Sequence, residues 1–322
     1  FMKVNKILIV LGEPQSTFSE ILLKYFYSKE FSKNKKKIIL IGSKSLFEKQ
    51  MRKLKFNFNL RSINTLNEAE TNELNILNVN YKNQKIFSRI SSDSKKYISN
   101  CFKIAFKLIK NNEKIALING PVSKKYFLNK KYPGVTEYIA EKTKSKNQVM
   151  LIYNEELSVS PITTHLPLKY VTKNITKKKI VNNIKQIKKF YESFLNKKPK
   201  IAILGLNPHC ETIDKVSEEK KIIIPAINFL NKFNLNIEGP FSADTFFLKK
   251  NINKYDVVIG MYHDQVLTPI KTLYNFNAIN ITLGLPFIRI SPDHGPNNKM
   301  LGKNNSDPSS IFCAMQFINK IR

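Results

Sequence analysis

KILIVLG at residues 6–12 and KIILIG at 37–42 are two short, almost wholly apolar runs. Each leads into a longer segment with helical spacing, over 17–28 and 44–54. Runs of this length that are apolar on both faces are the mark of buried parallel strands. The pattern continues down the chain. IALI (115–118), VMLIY (149–153), IAILG (201–205) and DVVIG (256–260) read as further strands. Helices are expected over 97–110, 176–196, 217–232 and 307–320. The first of these carries an apolar stripe of Ile98, Phe102, Ile104, Ala105 and Leu108 and stops at Asn111-Asn112. Alternating strands and helices predict an α/β fold with largely parallel strands. Residues 56–90 are assigned no element.

At 322 residues and 42% hydrophobic content, the chain is long enough for one or two domains with a sizeable core. It has no apolar run of the ~18 residues that a membrane span needs. The N-terminus lacks a secretory pattern, and Cys101, Cys210 and Cys313 form neither a zinc pair nor a disulfide framework. A reducing cytoplasm is the expected compartment. The net charge of +30 raises the question of nucleic acid. The lysines, however, are spread along the whole chain among Asn and Ile. Runs such as Lys35-Lys36-Lys37 and Lys177-Lys178-Lys179 read as solvated helix ends or loops. Composition bias explains the charge better than a binding face does, although the charge would still attract anionic substrates.

In open α/β sheets, ligands gather beyond the carboxyl ends of the strands. NGPVSK, NPH and MYHDQ follow three of the expected strands. The chain has four histidines, in TTHLP (His165), GLNPHC (His209), MYHDQ (His263) and SPDHGP (His294). Each stands in a turn-rich segment, with no HExxH-like local pair. Spacing alone leaves two readings open: hydrogen-bonded loop histidines, or three imidazoles converging on a divalent metal that polarises a hydroxyl or carbonyl.

The segments ALINGPVSKKYF (116–127), GVTEYIAE (134–141), TTHLPL (163–168), IAILGLNPHCE (201–211), IIIPAI (222–227), GPFSADTFF (239–247), MYHDQVLTPIK (261–271) and INITLGLPFIRISPDHG (279–295) occur in one order. Together they resemble the 4-hydroxythreonine-4-phosphate dehydrogenase family of vitamin B6 biosynthesis. The resemblance implies two α/β/α lobes around a cleft, similar to isocitrate and isopropylmalate dehydrogenases. Lobe one is expected over about 1–135 plus 280–322, and lobe two over about 136–279. It implies a homodimer with the active site at the subunit interface, NAD or NADP as cofactor, and one divalent ion (Zn, Mg or Co). His165, His209 and His263 become the metal ligands. Thr136, Lys271, Asn280 and Arg289 become substrate contacts, and Asp244, Asp264 and Lys271 the catalytic candidates. Asn207, Glu211 and His294 are the candidate cofactor contacts.

Side-chain chemistry agrees at two of these positions: Arg and Lys bind phosphate and carboxylate, and Arg289 closes the apolar run LGLPFI. Asp244 reads equally as a helix N-cap. The family uses no Gly-x-Gly-x-x-Gly loop, and none is present.

The implied reaction is oxidation of 4-phosphooxy-L-threonine at its C3 hydroxyl to 2-amino-3-oxo-4-phosphooxybutanoate, followed by decarboxylation. Four departures accompany the resemblance. Val135 stands where the family has His before Thr-Glu. GEPQSTFSE (12–20) replaces a Gly-Asp-Pro turn and its glycines. CETIDKVSEE (210–219) replaces a glycine-rich loop, and Pro296-Asn297 follow the Asp-His-Gly run. They leave open a related dehydrogenase acting on a phosphorylated threonate- or erythronate-type acid or a cyclic diol acid. A third reading is a non-catalytic basic protein that binds ligand or nucleic acid.

Overall fold

The computed structural model describes residues 4–111, 114–129, 131–211, 216–275, 277–292 and 299–321. Twelve strands are described: β1 (Lys6–Val10), β2 (Lys37–Gly42), β3 (Leu60–Ser62), β4 (Leu74–Asn78), β5 (Ile115–Asn119), β6 (Val149–Tyr153), β7 (Ser158–Thr163), β8 (Ile201–Leu204), β9 (Ile237–Phe241), β10 (Val257–Tyr262), β11 (Ile279–Leu283) and β12 (Ile288–Ser291). The chain divides into two compact units, Phe1–Ser145 with Leu285–Arg322, and Lys146–Gly284.

In the first unit the strands run β3-β4-β2-β1-β5-β12, every neighbouring pair parallel. β1, β2 and β5 are buried nearly throughout, which is why their sequences are apolar on both faces. Helix Ser94–Lys110 begins three residues before its expected start and lays Ile98, Phe102 and Ala105 against Leu8, Val10, Ile39 and Ile41. The segment 56–90 holds β3, β4 and one short 3₁₀ turn, Leu66–Glu68. A three-residue strand is too short to show a period of two.

In the second unit the order is β11-β6-β7-β10-β8-β9. β7, β10, β8 and β9 run parallel to one another, and β6 is antiparallel to both β11 and β7. The core joins Val159, Ala202, Leu204, Val258 and Val266. β7 reads poorly as a strand because SVSPIT is half polar. Its buried serines are satisfied from afar: the Tyr191 hydroxyl donates to Ser158 Oγ at 2.9 Å, and Asn183 Nδ2 to Ser160 Oγ at 3.1 Å. The helix expected over 176–196 is Lys177–Phe190, closed by a wider π-turn over Tyr191–Leu195. No helix among the described residues is long and apolar enough to cross a membrane.

Candidate active site

β10 lies between β7 and β8, all three parallel, so their carboxyl ends point the same way. The three chains leaving these ends carry the three histidines. His165 stands two residues beyond β7, and His263 opens helix His263–Tyr274 directly after β10. Their ring centroids are 5.7 Å apart. Thr163 Oγ1 donates to Met261 O at 2.8 Å and ties the two strand ends together. His263 Nδ1 meets Asp264 Oδ1 at 2.6 Å. This contact orients the ring through Nδ1 and leaves Nε2 as the nitrogen that Asp264 does not engage.

His209 lies five residues beyond β8 in a strained turn. His209 and Cys210 both have left-handed backbones, with φ of 54° and 58°. Two successive non-glycine residues there carry a conformational cost, a feature that concentrates at functional turns. His209 Nδ1 stands 3.8 Å from Asp244 Oδ2, and its side chain is 74% exposed. Asp244 is not an N-cap: Ser242 holds that position in helix Ala243–Phe246. The Ser242 hydroxyl donates to Asp244 Oδ1 at 2.5 Å and holds the carboxyl below its ordinary range. The histidines thus form a close pair and a separate His209–Asp244 contact. Among the described residues, no three His, Cys, Asp or Glu side chains stand close enough to hold an ion.

Two further side chains fix these loops. Gln265 accepts from Met261 N–H through Oε1 and donates from Nε2 to Gly205 O, both at 2.7 Å, clamping the β10–helix turn to the end of β8. Burial would raise the Glu219 carboxyl. Hydrogen bonds from the Asn207 N–H and amide and from the Leu206 N–H outweigh it and hold the group low. Asn207 also donates to Glu218 at 3.0 Å, so its amide hydrogens face inward. Glu211 and Lys271 are exposed, the latter two turns along the helix from His263. Asn280 is half-buried in β11, opposite Ile152. His294 lies outside the described residues, as do Pro296 and Asn297.

The first unit holds two of the four substrate-contact candidates, Thr136 and Arg289. Arg289 is only 1% exposed, in β12 beside Leu117 of β5. Its Nε donates to Asn119 Oδ1 at 2.9 Å and its Nη1 to Thr136 Oγ1 at 2.8 Å. Burial lowers its pKa to about 10, against the opposing charge of Glu137, so it remains a cation at neutral pH. Asn119 ends β5, and its turn is backed by the Gly12-Glu13 turn, whose Glu13 N–H donates to Pro121 O at 2.8 Å. Gly12 has φ +71°, and a Cβ there would lie 2.5 Å from Pro121 O, so the close approach requires glycine.

Residues 34–318 match the family described as pyridoxal phosphate biosynthetic protein PdxA. The chain belongs to this family. A 4-hydroxythreonine-4-phosphate dehydrogenase of Sulfurihydrogenibium sp. (strain YO3AOP1) is 38% identical over 315 residues, covering 97% of this chain and 96% of that protein. The crystal structure of 4-hydroxythreonine-4-phosphate dehydrogenase from Klebsiella pneumoniae superposes with a TM-score of 0.85 at 26% identity, over 98% of this chain and 99% of that one. An isocitrate dehydrogenase from Methylococcus capsulatus shares the fold alone, with a TM-score of 0.50 at 8% identity over 98% and 85%. The α/β dehydrogenase architecture expected from the sequence therefore stands.

Membership in the PdxA family gives the departures a physical setting. Val135 is half-buried and packs against the hydrophobic cluster of its unit, so an apolar side chain has a place to go there. Asn119 and Gln265 were not singled out in the sequence. Asn119 sits in an Asn-Gly-Pro run that reads as a turn, and only the β5–β12 pairing brings Arg289 to it. Gln265 is one residue past the His-Asp pair, and only its two backbone bonds, one local to Met261 and one distant to Gly205, reveal its role.

Proposed function

We propose that this PdxA-family dehydrogenase oxidises the C3 hydroxyl of 4-phosphooxy-L-threonine with NAD⁺ or NADP⁺. The product is 2-amino-3-oxo-4-phosphooxybutanoate, a β-keto acid that then loses CO₂. The observation that carries the reading is the placement of His165, His209 and His263 at the carboxyl ends of three adjoining parallel strands. The substrate is that of the named relatives.

In donor chemistry the three imidazoles suit a divalent ion, although among the described residues they do not stand together as one ligand set. Three imidazole nitrogens favour Zn²⁺ or Co²⁺ over Mg²⁺, which prefers oxygen, and carboxylates stand beside two of the rings. Such an ion, when bound, supplies Lewis acidity at the C3 oxygen, and a nicotinamide supplies the hydride acceptor.

The protein's own groups do the rest. Arg289, held by Asn119 and Thr136, binds an anionic end of the substrate, and Asn280 contributes a hydrogen-bonding amide. Lys271, also a catalytic candidate, supplies a second cation, and the carboxylates of Asp264 and Asp244 are the candidates for accepting the hydroxyl proton. Asp264 also orients His263. Asn207, Glu211 and His294 remain the candidate cofactor contacts.

The same reading makes the enzyme a cytoplasmic homodimer with its active site at the subunit interface. Exposed Leu166, Leu168 and Tyr170, next to His165, support a second copy at that edge. Val135 favours one alternative substrate, a phosphorylated sugar acid lacking the group that a histidine would contact.

The test is nicotinamide reduction by 4-phosphooxy-L-threonine with and without a chelator. Chelator-sensitive turnover of this substrate above that of phosphorylated threonate or erythronate supports the reading. No turnover of any of the three by metal-replete protein overturns it.

A further inference from the structure

Helix Ser94–Lys110 buries one face in its unit's core. Its other side carries Lys95, Ser99, Lys103 and Phe106. Their spacing of four, four and three residues puts them on a single stripe. Tyr138 and Lys142, one turn apart on helix Val135–Lys142, face the same space. Between them is a cavity of about 340 Å³, also lined by Phe127, Lys131 and Tyr132. That volume lies within the range of small-molecule sites.

The lining is of two kinds. Phe106, Phe127, Tyr132 and Tyr138 form an aromatic wall, with Tyr138 centred 5.0 Å from Phe127 and 5.4 Å from Tyr132. The same cavity is lined by Lys95, Lys103, Lys131 and Lys142. Glu141 is already engaged by the Tyr132 hydroxyl at 2.6 Å and by Lys131 and Lys142 at 3.6 and 3.3 Å. Lys95 and Lys103 make no ion pair with any described residue.

A lysine-rich chain places ammonium groups on every face, so the lysines alone would mean little. Here they rim a concave, aromatic-walled hollow. With Lys131 and Lys142 sharing Glu141, the lining keeps a net positive charge, and low-dielectric walls focus its field on the hollow. An anion meets that charge, and a flat ring finds aromatic faces and edges to pack on. None of the lining residues belongs to the Arg289 group or to the histidine loops.

We propose that this cavity is a binding site for a small aromatic anion, a planar ring carrying a phosphate. Calorimetric titration of the full chain with phenyl phosphate, beside inorganic phosphate, tests it. One phenyl phosphate should bind per chain, about tenfold or more tighter than inorganic phosphate. Reversing the exposed lysines together (Lys95→Glu with Lys103→Glu) should weaken it about tenfold or more. Turnover of the phosphorylated substrate by that variant should be unchanged. Phenyl phosphate binding no tighter than inorganic phosphate overturns the proposal. So does binding that survives the double reversal, which would place the ligand elsewhere on the chain.

Discussion

Arg289 and Thr136 are 153 residues apart in sequence, yet Arg289 Nη1 donates to Thr136 Oγ1 at 2.8 Å. A strand and the first turn of a helix are thereby joined around a buried cation. Removing the acceptor with Thr136→Val should destabilise the fold by about 1–3 kcal/mol, the cost of leaving a buried donor without that partner. KM for the phosphorylated substrate should rise, while Thr136→Ser keeps the bond and stays close to wild type. Urea unfolding and steady-state kinetics on both variants check this.

Glu13 gives a pH dependence with a definite sign. The residue is 1% exposed, and burial raises its carboxyl pKa from 4.5 to about 7 against the hydrogen bonds from Ser94 and the Gln15 backbone. The folded state therefore holds this proton more tightly than the unfolded chain does. Its contribution is complete below pH 4.5, declines as pH rises towards 7, and is lost above that. The size is on the order of 3 kcal/mol at most. Glu13→Gln should flatten the decline. Urea midpoints of both proteins between about pH 5 and 8 decide it, and parallel curves would contradict the assignment.

Gln265 acts on the chemistry only through the turn it clamps. Gln265→Ala frees Met261 N–H and Gly205 O and lets His263 move relative to the end of β8. Losses of an outer hydrogen-bonding partner at a metal site run to about 10–100-fold. The expected result is a fall of that order in kcat/KM. Because the residue is not itself a ligand, excess metal should recover part of the loss. Unchanged kinetics would show that the strand ends hold the loop without it.

Some of this was legible in the sequence and some was not. β1, β2, β5, β8 and β10 are apolar on both faces because they lie inside parallel sheets, and such runs announce themselves. β7 does not, because Ser158 and Ser160 are buried only by virtue of Tyr191 and Asn183. The polar motifs follow strands, so their location beyond strand ends could be anticipated. That Asn119 meets Arg289 could not be, since it depends on β12 returning beside β5 after some 170 residues. The raised pKa of Glu13 was equally hidden, because in GEPQS it reads as an ordinary polar turn.

Val135 tests specificity. Val135→His replaces a half-buried apolar side chain packed on the unit's cluster with one that can donate a hydrogen bond or carry charge. A restored bond to a charged group is worth ~1.5–3 kcal/mol, so kcat/KM for 4-phosphooxy-L-threonine should rise about 10- to 100-fold. Some stability should be lost in exchange for the packing. No change for this substrate or its sugar-acid analogues would mark Val135 as neutral.

On the proposed function, His165, His209 and His263 together serve oxidation of a phosphorylated hydroxy acid. The most direct measurement is nicotinamide reduction by metal-replete protein with 4-phosphooxy-L-threonine, comparing wild type with His263→Ala and His209→Ala. Wild type should turn over, and each variant should lose about 100-fold or more, with bound metal lost in parallel. Wild-type rates in either variant, or metal retained in full by both, would contradict it.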